Sequence, residues 1–221
     1  MRTLRAAVFD LDGTIIAKDM FGMWIREHLQ TSPLGLVRGL MRPADSPTPG
    51  PRSFRDGMKC RIAAGCMRVW QASEDCRNVR DRLVAKVLAE LVAKGAREEI
   101  EKHRRERRLL VLATGSLDFY AEPLARALGF DEVIATRSDP EAGPRNRGII
   151  GPNVRGAVKR DLTARLLKTH GLDLARDAVA YSDSASDFPL LDAAAQGVLV
   201  NPSSRTARAA RQKPYTIVHW H

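Results

Sequence analysis

Short runs of apolar residues recur along the chain at 5–12, 109–113, 132–135, 178–181 and 197–200, with a weaker run at 215–220. Short apolar runs such as these, the first ending in two carboxylates, read as buried strands. Between most of them lie segments with helical spacing that stop at glycine, 119–128 before Gly129 and 161–170 before Gly171. Glycine suits the left-handed turn that closes a helix. Strand–helix alternation of this kind predicts a parallel α/β sheet. In such sheets a ligand binds beyond the carboxyl ends of the strands.

Residues 16–100 interrupt the alternation. They hold no convincing strand, but Val79, Leu83, Val84, Val87, Leu88, Leu91 and Val92 fall on one helical face. Residues 43–51 (PADSPTPGP) carry four prolines and predict an extended or turn-like loop. The economical reading is a core of residues 1–15 and 101–221 with a helical insertion, 16–100, after the first strand. The stretch 97–108 (REEIEKHRRERR) places its acids first and its arginines last. That order complements a helix dipole and predicts a solvated helix leading into the next strand.

Composition narrows this picture only a little. The 221 residues suit one large domain, or a core with a small inserted partner, and 44% hydrophobic with 28% charged residues is ordinary for a globular chain. No run of ~18 apolar residues predicts a membrane helix. The N-terminus reaches Asp10 and Asp12 before the apolar region of a secretory signal could form, so a cytoplasmic location is expected. Cys60, Cys66 and Cys76 match no common zinc spacing and read as reduced thiols. A formal net charge of +10 favours anionic partners, either nucleic acid or phosphorylated metabolites.

Four stretches carry candidate chemistry. The first apolar run ends in Asp10-Leu11-Asp12-Gly13-Thr14. Two neighbouring acids raise each other's pKa and become compatible when a divalent cation neutralises them. Hard cations such as Mg²⁺ take carboxylate and phosphate oxygens. Tyr181-Ser182-Asp183-Ser184-Ala185-Ser186-Asp187 follows another buried run. There Asp183 could complete the metal site and Asp187 could anchor it from behind, although Ser and Asp also cap helices. Thr114-Gly115-Ser116 precedes the helix 119–128. A hydroxyl with free amides at a helix start is a phosphate cradle, unless Ser116 or Asp118 simply caps that helix. Lys159 stands near the start of the helix 159–170, and by itself reads as a surface lysine.

In this order the four stretches resemble the haloacid dehalogenase (HAD) superfamily of aspartyl-phosphate-forming phosphohydrolases. An insertion directly after the first motif resembles the phosphoserine-phosphatase-like branch, as does the closing Asn201-Pro202. The resemblance implies a Rossmann-like parallel sheet with a helical cap. It implies that Asp10 is the nucleophile and Asp12 the general acid and base, with Thr114 and Lys159 neutralising the transferring phosphoryl group. Mg²⁺ would be bound by the side chains of Asp10 and Asp183 and the carbonyl of Asp12, with Asp187 just behind them. Gly115 and Ser116 would line the phosphate cradle. Asp19, nine residues after the nucleophile, and Phe54 with Arg61 seven residues later, resemble the branch's substrate-binding positions. They would grip the ammonium and carboxylate of an amino acid.

The activity expected on this resemblance is a Mg²⁺-dependent phosphomonoester phosphatase acting on a small metabolite. The substrate is phosphoserine or another small phosphomonoester, such as an amino-alcohol or sugar phosphate. The enzyme would be a monomer or homodimer with no membrane partner. The competing reading is a basic nucleic-acid-binding protein that retains the fold. With 5% aromatic residues the chain offers few platforms for stacking bases, which weighs against it.

Overall fold

A computed structural model describes residues 3–31, 75–138 and 149–220 of the chain. Phe54, Arg61, Cys60, Cys66 and the proline-rich loop 43–51 lie outside these residues. The centre is a seven-stranded sheet in the order β4-β3-β2-β1-β5-β6-β7. Its strands are β1 (Ala6–Phe9), β2 (Leu109–Leu117), β3 (Glu132–Ser138), β4 (Ile149–Ile150), β5 (Ala178–Ser182), β6 (Gln196–Val200) and β7 (Thr216–Val218). All neighbours run parallel except β3 and β4. The parallel α/β sheet expected from the apolar runs is therefore present. The strand order reverses at β1, between β2 and β5, and a sheet of this kind opens its ligand crevice there.

The apolar runs are continuous because both faces of the sheet are covered. Ala7, Phe9, Leu110, Leu112, Val179 and Tyr181 point into one core, and Ala6, Val8, Val111, Ala113, Ala178 and Ala180 into the other. The first core is closed by α1 (Met20–Thr31), α2 (Asp75–Lys86), α3 (Lys94–Arg105) and α4 (Asp118–Leu128). The second is closed largely by α5 (Ala157–Thr169), α6 (Leu174–Asp177) and α7 (Phe188–Ala193). A last helix, α8 (Ser204–Ala209), precedes β7. Truncating a fully buried residue such as Leu112 or Phe9 to alanine would cost about 2–5 kcal/mol. Among the described residues no helix is long and apolar enough to cross a membrane.

Several details differ from the sequence reading. β1 stops at Phe9, before the acids, because the chain turns at once: Gly13 N–H donates to Ile16 O at 2.7 Å. β2 runs past Ala113 to Leu117 with an irregularity in its pairing to β3. β4 was not expected, since two residues carry no period. The helical face of 79–92 is α2 followed by a π-helical turn, Val87–Leu91. That wider turn ends where Ile16 and Val92 form an antiparallel bridge. The stops at Gly129 and Gly171 are as expected, both in the left-handed region.

Candidate active site

The site grows out of the β1–β5 seam. Asp10 follows directly on β1, and its N–H donates to Tyr181 O at 2.9 Å. That rung ties the first acid to the strand that delivers Asp183. Gly13 then adopts a φ of +79°, and a Cβ at this position would lie 2.3 Å from Asp183 Oδ2. Only glycine both turns the chain here and lets the Asp183 carboxylate approach its backbone. Thr14, wholly buried, locks the pair from the other side by accepting from the Asp183 N–H at 3.0 Å.

Lys159 is not the surface lysine that its type suggests. It is 2% exposed, and its Nζ donates to Asp10 Oδ1 at 2.8 Å and to Asp187 Oδ2 at 2.5 Å. Asp187 Oδ2 also accepts from Ser182 Oγ at 2.9 Å, while its buried Oδ1 has no hydrogen-bond partner among the described residues. Burial opposes charge on Lys159, but its attraction to Asp10 and Asp187 outweighs this and raises its pKa, so the ammonium persists. Burial pushes the Asp10 carboxyl up to about 7 against the pull of Lys159, with Asp187 and Asp12 adding to the rise. Burial likewise pushes Asp183 up to about 6, with Asp187 and Asp12 again contributing.

Asp12 is held at both oxygens. Oδ1 accepts from the Met20 N–H at 2.7 Å, at the start of α1, and Oδ2 accepts from Ser116 Oγ at 2.7 Å. Tyr120 donates to Ser116 Oγ at 3.3 Å, extending the chain into the core. Thr114 and Ser116 are fully buried, and Thr114 Oγ1 accepts from the Ser116 N–H at 3.0 Å. These residues lie on the irregular end of β2 rather than opening a helix, which corrects the expectation above. Neither Ser116 nor Asp118 is the residue before α4; Leu117 is, and it provides no side-chain cap.

The structure thus brings Asp10, Asp12, Thr114, Gly115, Ser116, Lys159, Asp183 and Asp187 to one end of the sheet. Asp19 is exposed at the start of α1, where its Oδ1 accepts from the Phe21 N–H at 3.1 Å, the position of a helix cap. Sequence reasoning gave no role to Thr136. Its buried Oγ1 donates to Gly115 O and accepts from the Val154 N–H, both at 3.1 Å, strapping the segment before α5 to the β2 turn. A lone threonine near a strand end gives no signal for this.

A divalent cation suits the donor set chemically. Hard cations take oxygen ligands, and two raised carboxyls beside an unpartnered buried carboxylate oxygen describe a cluster short of positive charge. Among the described residues no three acidic, His or Cys side chains form a ready-made metal site. The set implied by the resemblance needs only two, with a backbone carbonyl.

Comparisons with known proteins agree with the fold. Residues 7–192 match the sequence profile of haloacid dehalogenase-like hydrolases. An inhibition of morphological differentiation protein of Streptomyces azureus is 29% identical, over 98% of this chain and 78% of its own. A probable phosphatase of Mycobacterium tuberculosis is 27% identical, over 98% of this chain and 76% of its own. Among solved structures, a Bordetella pertussis protein of unknown function superposes with a TM-score of 0.77 at 24% identity, over 99% and 100% of the two chains. A phosphoserine phosphatase carrying a phospho-aspartyl intermediate analogue gives 0.63 at 14%, over 98% and 94%. Likenesses at such identities speak for the fold alone.

Proposed function

The chain belongs to the haloacid dehalogenase-like hydrolase family, and on that premise we propose that it is a Mg²⁺-dependent phosphatase of small phosphomonoesters working through a phosphoaspartate on Asp10. The observation that carries the reading is the buried Lys159–Asp10 ion pair set among three further carboxylates. A lysine at that point can neutralise a phosphoryl oxygen as readily as a carboxylate. Names of the relatives, a probable phosphatase among them, support the same reaction class.

In the proposed reaction a carboxylate oxygen of Asp10 attacks phosphorus as the ester P–O bond breaks, and Asp12 gives its proton to the leaving oxygen. Water then attacks the phosphoaspartate and passes a proton to Asp12. Inorganic phosphate leaves and Asp10 is regenerated. Splitting one displacement into two lets a single positioned carboxyl serve as acid and then as base. Lys159, Thr114 and the amides around Gly115 and Ser116 would hold the equatorial oxygens. Mg²⁺ would be held by the Asp10 and Asp183 side chains and the Asp12 carbonyl, and would neutralise charge on the phosphoryl group.

The finer assignments belong to the same proposal. Asp19, Phe54 and Arg61 would grip the non-reacting end of the substrate, favouring phosphoserine or a related amino-alcohol or sugar phosphate. The cap would span 16–100, and the Ile16–Val92 bridge supports an insertion leaving and re-entering there, while α3 packs with the sheet. A cytoplasmic monomer or homodimer completes it. The test is hydrolysis of a generic aryl phosphate: activity should vanish with excess chelator and return with Mg²⁺. Full activity in chelator would remove the metal assignment.

A further inference from the structure

Tyr181 precedes the acidic loop by two residues, and its hydroxyl enters a polar cluster buried between α3 and the sheet. Arg108 Nη1 lies 2.8 Å from His103 Nδ1, and an arginine can only donate, so Nδ1 accepts. The hydrogen therefore sits on Nε2, which faces the Tyr181 oxygen at 2.8 Å and Glu99 Oε1 at 3.3 Å. Tyr181 in turn donates to Glu99 Oε1 at 2.8 Å. Each step has one permitted direction, from Arg108 through His103 and Tyr181 to the Glu99 carboxylate. Glu99 and His103 are one helical turn apart on α3, whose Ala96 and Ile100 are buried alongside.

The ring of Tyr181 is fixed as firmly as its hydroxyl. Its register partner Phe9 stacks on it at 4.4 Å between centroids and 7° between planes. Trp220 covers both, 5.6 Å from Tyr181 and 6.4 Å from Phe9. Trp220 fits there because Gly95 of α3 has no side chain: a Cβ would lie 2.5 Å from Trp220 Cδ1. Phe9 is followed by Asp10, and the Tyr181 carbonyl accepts the Asp10 N–H. Whatever fixes Tyr181 therefore fixes the backbone from which Asp10 and Asp183 both project.

We infer that Tyr181, pinned through its hydroxyl by Glu99 and His103, is a positioning residue for the catalytic carboxylates. A phenylalanine would fill the same space and keep the stack, so the hydroxyl serves placement rather than packing. The inference rests on the phosphatase reading above. Because placement matters for a displacement at phosphorus and little for capturing the phosphate, the loss should fall on kcat.

The test is steady-state hydrolysis of an aryl phosphate in Mg²⁺. Tyr181→Phe should lower kcat about 5- to 50-fold and leave KM within roughly twofold, as expected when reacting groups shift by a fraction of an ångström. Glu99→Leu should give the same loss, Glu99→Gln should recover most of it by keeping an acceptor, and the Tyr181→Phe/Glu99→Leu pair should be no worse than either single change. Glu99 is only half-buried, so its variants serve if position 181 tolerates no change. Unchanged kcat in Tyr181→Phe, equal losses in the two Glu99 variants, or additive losses in the pair would overturn the inference. No turnover by the unaltered protein would instead overturn the phosphatase reading, and this inference with it.

Discussion

Two clusters of charged side chains lie close to the β1–β5 seam, one beyond the strand ends and one beneath the sheet, and their charges are balanced in opposite ways. Beyond the strands, Asp10, Asp12, Asp183 and Asp187 gather around one buried lysine. Asp10 is pushed up to about 7 and Asp183 to about 6, and Asp187 Oδ1 has no partner among the described residues. Beneath the sheet, hydrogen bonds from His103, Lys102 and Tyr181 hold the Glu99 carboxyl down to about 2 against the effect of burial. In the second cluster, among the described residues, only Arg108 Nε lacks a hydrogen-bond partner. The first sets four carboxylates around a single buried lysine among the described residues. Strongly perturbed carboxyls cluster where proteins bind ligands or do chemistry, which supports the proposed site at this end of the sheet.

The sharpest way to break this contrast is to remove its central acid. Asp10→Asn should fold normally, since it keeps the size and relieves repulsion, yet lose turnover by ~10⁴-fold or more as a lost nucleophile. Circular dichroism and steady-state rates would check both halves. Asp12→Asn should slow turnover by ~10²–10⁴-fold, the range of general acid–base catalysis. Rapid-quench kinetics should find both formation and breakdown of the phosphoenzyme affected.

Lys159→Met tests whether the cluster is short of positive charge. Removing Lys159 takes away the ion-pair partner that Asp10 and Asp187 share, which should cost about 3–5 kcal/mol in urea unfolding. Raising Mg²⁺ should recover part of that loss. An unchanged midpoint would mean that Lys159 does not balance the acids.

The smallest effect belongs to the satisfied cluster. Glu99 has a lower pKa folded, about 2 against an ordinary 4.5, so it binds fewer protons in the folded state near pH 3. Its contribution is fully present above pH 4.5 and lost as pH falls through about 2. Glu99→Gln should flatten that part of the acid-stability slope, by on the order of 1 kcal/mol after screening at a half-exposed site. A slope identical to the parent's would dissolve the contrast between the clusters.

How far the sequence revealed all this depends on where each interaction closes. The central strands were legible because each is apolar on both faces, and the acids at their ends stood out because nothing structural requires them. Thr114, Lys159 and Asp183 could be proposed only from their order, since each type has a commonplace alternative. The inner face of α3 was not legible. Glu99 and His103 read as solvated charges in 97–108, because the hydroxyl they bond lies 78 residues beyond His103. The extended end of β2 was missed for a similar reason: the Ser116 hydroxyl answers to Asp12, 104 residues away, and not to the helix that follows.

The proposed reaction turns on a covalent bond between Asp10 and phosphate. Incubation with a ³²P-labelled aryl phosphate and Mg²⁺, acid quench and peptide mapping would look for it directly. The proposed reaction predicts an acid-stable, hydroxylamine-labile label on the peptide containing Asp10, absent from Asp10→Asn. Turnover with the label on Asp12, or with none trapped even when breakdown is slowed by Asp12→Asn, would contradict it.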